Sequence, residues 1–150
     1  MNLTIEPIRQ KDIPLLYAMI QELAEFEELT DLFTGTEEQL NTALFGNTPA
    51  VEGLLAWVDD RAVGYSLFFQ NFSTFQCLPG LYLEDLYVKP EYRGQGIGKA
   101  LFNKVYQIGQ ARGCGRLEWL VINWNSRAKT FYESLGATIY EKFQLCRMTY

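Results

Sequence analysis

The stretch Arg93-Gly94-Gln95-Gly96-Ile97-Gly98-Lys99 carries the most specific chemical signal in the chain. Glycines at alternate positions remove side chains, so a ligand can approach the backbone closely. Ile97, Ala100, Leu101, Val105 and Ile108 then recur at helical spacing, so the loop opens a helix. The free N–H groups of a first helical turn, with the helix dipole behind them, favour an anion. Arg93 and Lys99 add positive charge. A phosphate or diphosphate is the guest that suits this arrangement.

Two common phosphate loops do not match. A P-loop needs Ser or Thr after Gly-Lys to hold Mg²⁺, and a Gly at its head. Here Ala100 follows Gly98-Lys99, and Arg93 stands at the head. A dinucleotide fingerprint, G-x-G-x-x-G, belongs in the first strand–helix unit of its domain. Here the third glycine comes one residue early and the loop lies past mid-chain. A plain tight turn does not call for three alternating glycines between Arg and Lys.

The rest of the composition narrows the chemistry. The chain has no histidine, which removes Ser-His-Asp and Cys-His catalysis and His-based metal sites. Any proton transfer falls to Asp, Glu, Tyr, Lys, Cys or water. Cys77, Cys114 and Cys146 are far apart and odd in number, with neither metal-ligand spacing nor a disulfide framework. They read as buried reduced thiols, and no metal is expected. Net charge is −5, from 13 basic and 18 acidic residues. Nucleic acid is therefore an unsuitable partner, since it demands a basic face, whereas a cationic substrate suits the balance. No apolar run approaches the ~20 residues of a membrane span. The N-terminus lacks a signal-peptide pattern, so a cytoplasmic location is the default expectation.

At 150 residues and 48% apolar content the chain reads as a single domain, 1–150. Leu3 to Ile8 alternates as a first strand, and a helix follows from about Asp12 to Glu28. The end of that helix is acidic, with Glu22, Glu25, Glu27 and Glu28, and reads as a solvated face or one wall of a cation site. Thr36 to Gln39 fits a capping box for a short second helix. Val51 to Val58 and Ala62 to Phe72 form a hairpin turned at Asp59-Asp60-Arg61, and Ser73 to Gly80 reads as a loop. Leu81 to Val88 is a strand that exits at Pro90. The third helix runs to about Ala111, Arg116 to Asn123 is a strand, and Asn125 or Ser126 caps a fourth helix ended by Gly136. Ala137 to Tyr150 is expected to hold one or two final strands.

Val88, Arg93, Gly94, Gly96 and Gly98 fill the pattern V-x-x-x-x-R-G-x-G-x-G without a gap. This resembles the acetyl-CoA diphosphate loop of the GNAT superfamily of N-acetyltransferases. The resemblance extends over nearly the whole order of elements. It implies a mixed α/β fold, with a mostly antiparallel twisted sheet of six or seven strands flanked by about four helices. Leu81 to Val88 and Arg116 to Asn123 would be the splayed pair whose gap receives the pantetheine arm. Acetyl-CoA is the implied cofactor. Leu86, Tyr87 and Val88 would contact it from the strand, and Arg93, Gly94, Gln95, Gly96, Ile97, Gly98 and Lys99 from the loop. Asn125, Ser126, Arg127 and Ala128 resemble the segment at its adenosine end. The closest resemblance is to the diamine acetyltransferases, which include spermidine/spermine and thialysine enzymes. It is carried by E-L-A-E-F-E-E at Glu22 to Glu28, L-Y-L-E-D-L-Y-V at Leu81 to Val88, and N-W-N-S-R-A-K-T-F-Y at Asn123 to Tyr132. Phe26, Glu27, Glu84, Glu118, Trp119 and Leu120 match positions that line the amine groove. Ser73-Thr74-Phe75 stands where polyamine-specific members carry an acid, which resembles the thialysine branch more.

Acetyl transfer from a thioester to an amine needs a deprotonated amine, donors for an oxyanion, and a proton for the departing thiolate. The resemblance makes Tyr132 the general acid. A phenol near pKa 10 giving its proton to a thiolate near 8.5 goes uphill by roughly 2 kcal/mol, within reach of a hydrogen bond that strengthens as charge develops. Glu84 is the candidate base or ammonium-binding carboxylate. Asp85 beside it should point to the opposite face by strand alternation. The reading is an N-acetyltransferase acting on a small primary amine. Acetylation of a protein lysine or N-terminus, and a non-catalytic acyl-CoA sensor, are the alternatives. The resemblance also implies a homodimer.

Overall fold

A computed structural model describes residues 1–150. The chain forms two compact units, Met1–Leu120 and Val121–Tyr150, described here one at a time.

The first unit is built on a five-stranded sheet in the order β1-β2-β3-β4-β5. The strands are β1 Leu3–Pro7, β2 Glu52–Val58, β3 Arg61–Ser73, β4 Leu78–Val88 and β5 Leu117–Glu118. The first four pair antiparallel in sequence, and β5 lies parallel to β4. Three helices accompany them: α1 Ile13–Phe26, α2 Glu37–Phe45 and α3 Ile97–Ala111. The mixed α/β class and mostly antiparallel sheet agree with expectation.

The strand count is five, not six or seven. The expected Arg116–Asn123 strand shrinks to Leu117–Glu118, and no strand forms between Ala137 and Tyr150. A strand persists only where its backbone groups find a ladder. The second unit contains one helix and no strand to supply one. The hairpin between β3 and β4 is also tighter than the expected Ser73–Gly80 loop, its turn confined to residues 74–77. Pro79 is tolerated inside β4, opposite Phe72. Leu81 N–H donates to Arg116, so the same-parity Pro79 turns its missing donor away from β3.

Local chemistry explains the helix boundaries. Thr36 and Gln39 make the reciprocal capping box at the start of α2, at 3.1 and 2.9 Å. Pro14 sits in the first turn of α1, where its absent N–H costs nothing. That helix ends with Glu28 N–H on Glu25 and Leu29 N–H on Ala24. This is a Schellman arrangement with Glu28 in the left-handed region at φ 58°.

The core divides between the two sheet faces. On one face Ile13, Leu16 and Met19 of α1 and Leu44 of α2 pack with Leu55, Tyr65, Leu67 and Tyr87. On the other lies α3, with Ile97, Leu101 and Val105 at most 1% exposed. There Gly64 and Gly109 bring backbone close to Leu101 and Leu81 respectively, and a Cβ at either would come within 3.3 Å of the leucine. No helix is long and apolar enough to cross a membrane. The cysteines are free but not buried as expected: Cys77, in the β3–β4 turn, and Cys146 are exposed, and Cys114 is half-buried.

The second unit contains α4, Ser126–Ser134. Asn125 Oδ1 accepts from Ala128 N–H at 3.0 Å, as expected of an N-cap. Gly136, at φ 95°, follows the end of the helix.

Candidate active site

The glycine loop has the backbone its sequence demands. Gly94 and Gly96 sit at φ 77° and 82°, where an L side chain is strained, and open space lies over both. Gly96 is the N-terminal flank of α3, with no side-chain cap. The first intrahelical bond is Ala100 N–H to Gly96, which leaves the amides of Ile97, Gly98 and Lys99 without a helical acceptor. Gly94, Gln95, Gly96 and Lys99 are exposed. These features fit a diphosphate: unscreened N–H groups, a dipole of the right sign and room above the backbone.

Arg93 is placed differently from the simple expectation of a charge beside the phosphate. Its Nε donates to the Val88 carbonyl at 2.8 Å. Its guanidinium lies over the Phe26 ring at 4.8 Å and near the Tyr87 ring at 5.6 Å. Arg93 therefore fastens the loop to the end of α1 and to β4.

The open edge of β4 is the second feature. The β4–β5 ladder holds only Leu81↔Leu117 and Tyr82↔Glu118. β4 itself runs on to Val88. Lys89 N–H donates to Val63 of β3. Alternation then turns the backbone groups of Leu86 and Val88 away from β3, towards that edge. The Leu86 groups and the Val88 N–H are available to an extended amide-bearing ligand; the Val88 carbonyl already accepts from Arg93. Tyr87 has the opposite orientation and is 4% exposed. Its hydroxyl donates to Glu22 Oε2 at 2.9 Å, and Lys89 Nζ holds Glu22 Oε1 at 2.8 Å. Glu22 is thus a tie between α1 and β4 rather than part of a free acidic wall. Burial, followed by the bond to the Glu22 carboxylate, pushes the Tyr87 phenol well up.

Glu84 and Asp85 depart from plain alternation. Leu67 pairs with Asp85 and Phe68 with Leu83, so Glu84 is the extra residue of a β-bulge. Leu81 faces α3, yet Tyr87, of the same parity, faces α1. The bulge reverses the register and carries Asp85 onto the α1 face. There Tyr65, fully buried on β3, donates its hydroxyl to Asp85 Oδ2 at 2.9 Å. Burial raises Asp85 to a pKa of about 6, helped by the charges of Glu84 and Glu27 and opposed by the Tyr65 hydrogen bond. Burial, then the Asp85 charge, holds the Tyr65 phenol far above its ordinary value. Glu27, half-buried at the end of α1, is also raised by burial. Glu84 is exposed. Asp85 and Tyr65 are what sequence reasoning missed. Two adjacent acids in an apolar strand were visible, but nothing local announces the bulge.

The remaining groove residues separate. Phe26 and Glu27 lie by Arg93 and Asp85, through the stacking and charge contacts above. Glu118 is exposed and paired with Arg116 Nε at 3.1 Å. Trp119 packs edge-on against Phe102 of α3 at 5.2 Å, and Leu120 is exposed.

In the second unit, Asn125 is used as the cap of α4, whose first turn contains Ser126, Arg127 and Ala128. Lys129 Nζ closes on the Asn123 carbonyl at 2.7 Å. Tyr132 is half-buried and packs on Phe131 at 5.3 Å between centroids.

Comparison with known proteins agrees with this geometry. The chain is 39% identical over 141 residues to a thialysine N-epsilon-acetyltransferase of Bos taurus, covering 89% of this chain and 82% of the relative. It is 31% identical over 183 residues to an L-ornithine N5-acetyltransferase of Arabidopsis thaliana, covering 92% and 80%. Among solved structures, an integron cassette protein from the mobile metagenome of V. cholerae shares the fold with a TM-score of 0.81. It is 24% identical, and the match covers 99% of this chain and 93% of that one. The model of the acetyltransferase (GNAT) family matches residues 16–137. With a glycine loop opening α3 and an unpaired edge on β4, this chain belongs to the GNAT family of acetyl-transferring enzymes.

Proposed function

We propose that this enzyme moves an acetyl group from acetyl-CoA to the primary amine of a small cationic molecule, a thialysine-like or ornithine-like amino acid or a di- or polyamine. One observation carries the reading: within a single unit, a glycine loop fit for a diphosphate is tied through Arg93 to β4 and to the end of α1, the elements that carry Asp85 and Glu27. The activities of the relatives, on thialysine and on ornithine, point to the same substrate class.

Acetyl-CoA supplies an activated acyl thioester when bound. The amides of Ile97, Gly98 and Lys99 hold its diphosphate, and the edge groups of Leu86 and Val88 hold its amide-bearing arm. Asn125 to Ala128 serve its adenosine end. The carboxylates at the end of α1 and on β4 draw in the ammonium and repel anionic competitors. The ammonium first gives up a proton to Glu84 or to water; the free amine attacks the thioester carbonyl, Tyr132 gives its proton to the departing thiolate, and the second proton of the amide nitrogen restores Tyr132. The whole chain acts as one catalytic domain, and it works as a homodimer, which sedimentation at working concentration would report as twice the chain mass.

The test is release of free CoA thiol from acetyl-CoA over a panel of thialysine, ornithine, putrescine, spermidine and a lysine peptide. Turnover of small amines above the peptide is the expected result. Binding of acetyl-CoA with no thiol release from any amine would make the chain a sensor instead. Tyr132→Phe is expected to lower kcat by about 10²-fold or more with acetyl-CoA affinity unchanged. An unaltered kcat would remove Tyr132 from that role.

A further inference from the structure

The geometry points to Asp85, held by Tyr65 on the α1 face, as the carboxylate that receives a cationic group of the amine substrate; the inference rests on the acetyl-transfer reading above. The sequence reading names Glu84 as the base or amine-binding carboxylate, with Asp85 on the opposite face by alternation. The bulge at Glu84 exchanges the two, because it turns Asp85 towards α1 and Glu27.

Three observations support the assignment. First, Asp85 is anchored on one side only. Oδ2 takes the Tyr65 hydroxyl at 2.9 Å, and Oδ1 takes no donor of the chain. Second, the nearby cations are already committed. Lys89 is bound to Glu22, and Arg93 lies on the rings of Phe26 and Tyr87. Third, the charged group next to Asp85 from α1 is another carboxylate, Glu27, itself partly withdrawn from water. A half-buried carboxylate without a counter-charge is costly, and one hydrogen bond covers that cost only in part. An incoming ammonium removes the cost and is held more strongly than at an exposed acid, where water screens the pair. Glu84 is such an exposed acid.

The groups that face Asp85 are Tyr65 from β3, Glu84 from its own strand and Glu27 from the end of α1. Its pKa of about 6 places its ionisation within the range of an activity profile. Protonated Asp85 holds no cation, so amine capture should fall as pH drops through that region. The Tyr65 hydrogen bond lowers the Asp85 pKa, and its loss should move the fall to higher pH.

The experiment measures kcat, KM and the pH profile with thialysine, ornithine and spermidine for the wild type, Asp85→Asn, Glu84→Gln and Tyr65→Phe. Calorimetric binding of the same amines to each CoA-loaded protein is measured in parallel. Asn retains an acceptor for Tyr65, and thermal unfolding checks that each variant folds. Asp85→Asn is expected to raise KM for the amine by about 10- to 100-fold, the span of a lost charged hydrogen bond, with kcat and acetyl-CoA affinity little changed. Tyr65→Phe should shift the acidic limb upwards. A folded Asp85→Asn with wild-type KM and an intact acidic limb overturns the inference. If amines bind the wild type, bind poorly to Asp85→Asn, and yet no thiol is released, the acetyl-transfer reading falls while the assignment of Asp85 stands. If no amine binds or reacts, both fall.

Discussion

Asp85 sits where a carboxylate is expensive for the fold to keep. Its pKa rises from an ordinary 3.8 to about 6, chiefly through burial. A raised acid stabilises the folded chain below its unfolded pKa, and that stability is lost as pH rises through the folded value. At pH below about 4 both states carry the proton. Between about 4 and 6 the unfolded chain releases it first, and above about 6 the full penalty, on the order of 2–3 kcal/mol, is in place. Asp85→Asn keeps the Tyr65 contact and has no such ionisation. It is therefore expected to melt several degrees higher than the wild type at pH 7.5, with the difference vanishing near pH 4. Matched melting curves at both pH values would show that Asp85 is not strained in the empty site. This is a residue for which stability and substrate capture pull in opposite directions. Its role was not legible in the sequence. Leu-Glu-Asp-Leu shows two adjacent acids without saying which of them faces α1, and the register that decides it is set by β3, many residues away.

Elements whose limits depend on short-range chemistry were legible. The Thr36–Gln39 box, the Asn125 cap and the glycine loop before α3 all form where the residues call for them. The end of α1 was placed at about Glu28, and the helix stops at Phe26. No glycine marks that stop, because Glu28 itself takes the left-handed position, at φ 58°. A side chain there costs about 1 kcal/mol relative to glycine. Glu28→Gly is thus expected to stabilise the chain by up to about 1 kcal/mol, read as a higher urea midpoint at unchanged m-value. A lower midpoint would mean that the Glu28 side chain makes up for its backbone. A left-handed residue next to Glu27 also suits a segment whose geometry is fixed for binding.

At the scale of the whole molecule, the sequence conveyed the strand–helix order and the family, but overestimated the sheet. Periodicity reports whether a segment could be a strand; pairing decides whether it is one. Tyr140, Phe143, Leu145, Met148 and Tyr150 have strand-compatible composition, yet they are exposed and the backbone beyond Ala137 enters no helix or strand. β3 and β4, by contrast, share a ladder that extends from Gly64↔Val88 to Ser73↔Leu78 and is backed by buried side chains. Amide exchange should reflect this contrast, since opening energies track buried contacts and backbone bonding. Amides of β3, the first half of β4 and the buried turns of α3 are expected to exchange slowest, near the global limit. Those from 138 to 150 should exchange first in dilute protein. The proposed homodimer adds a condition to the same measurement: unpaired strand-forming residues gain protection when a second copy supplies a ladder. Protection of 138–150 that rises with protein concentration would identify that segment as part of the dimer contact. Concentration-independent protection there as strong as in β3 would contradict the placement of the segment outside the sheet.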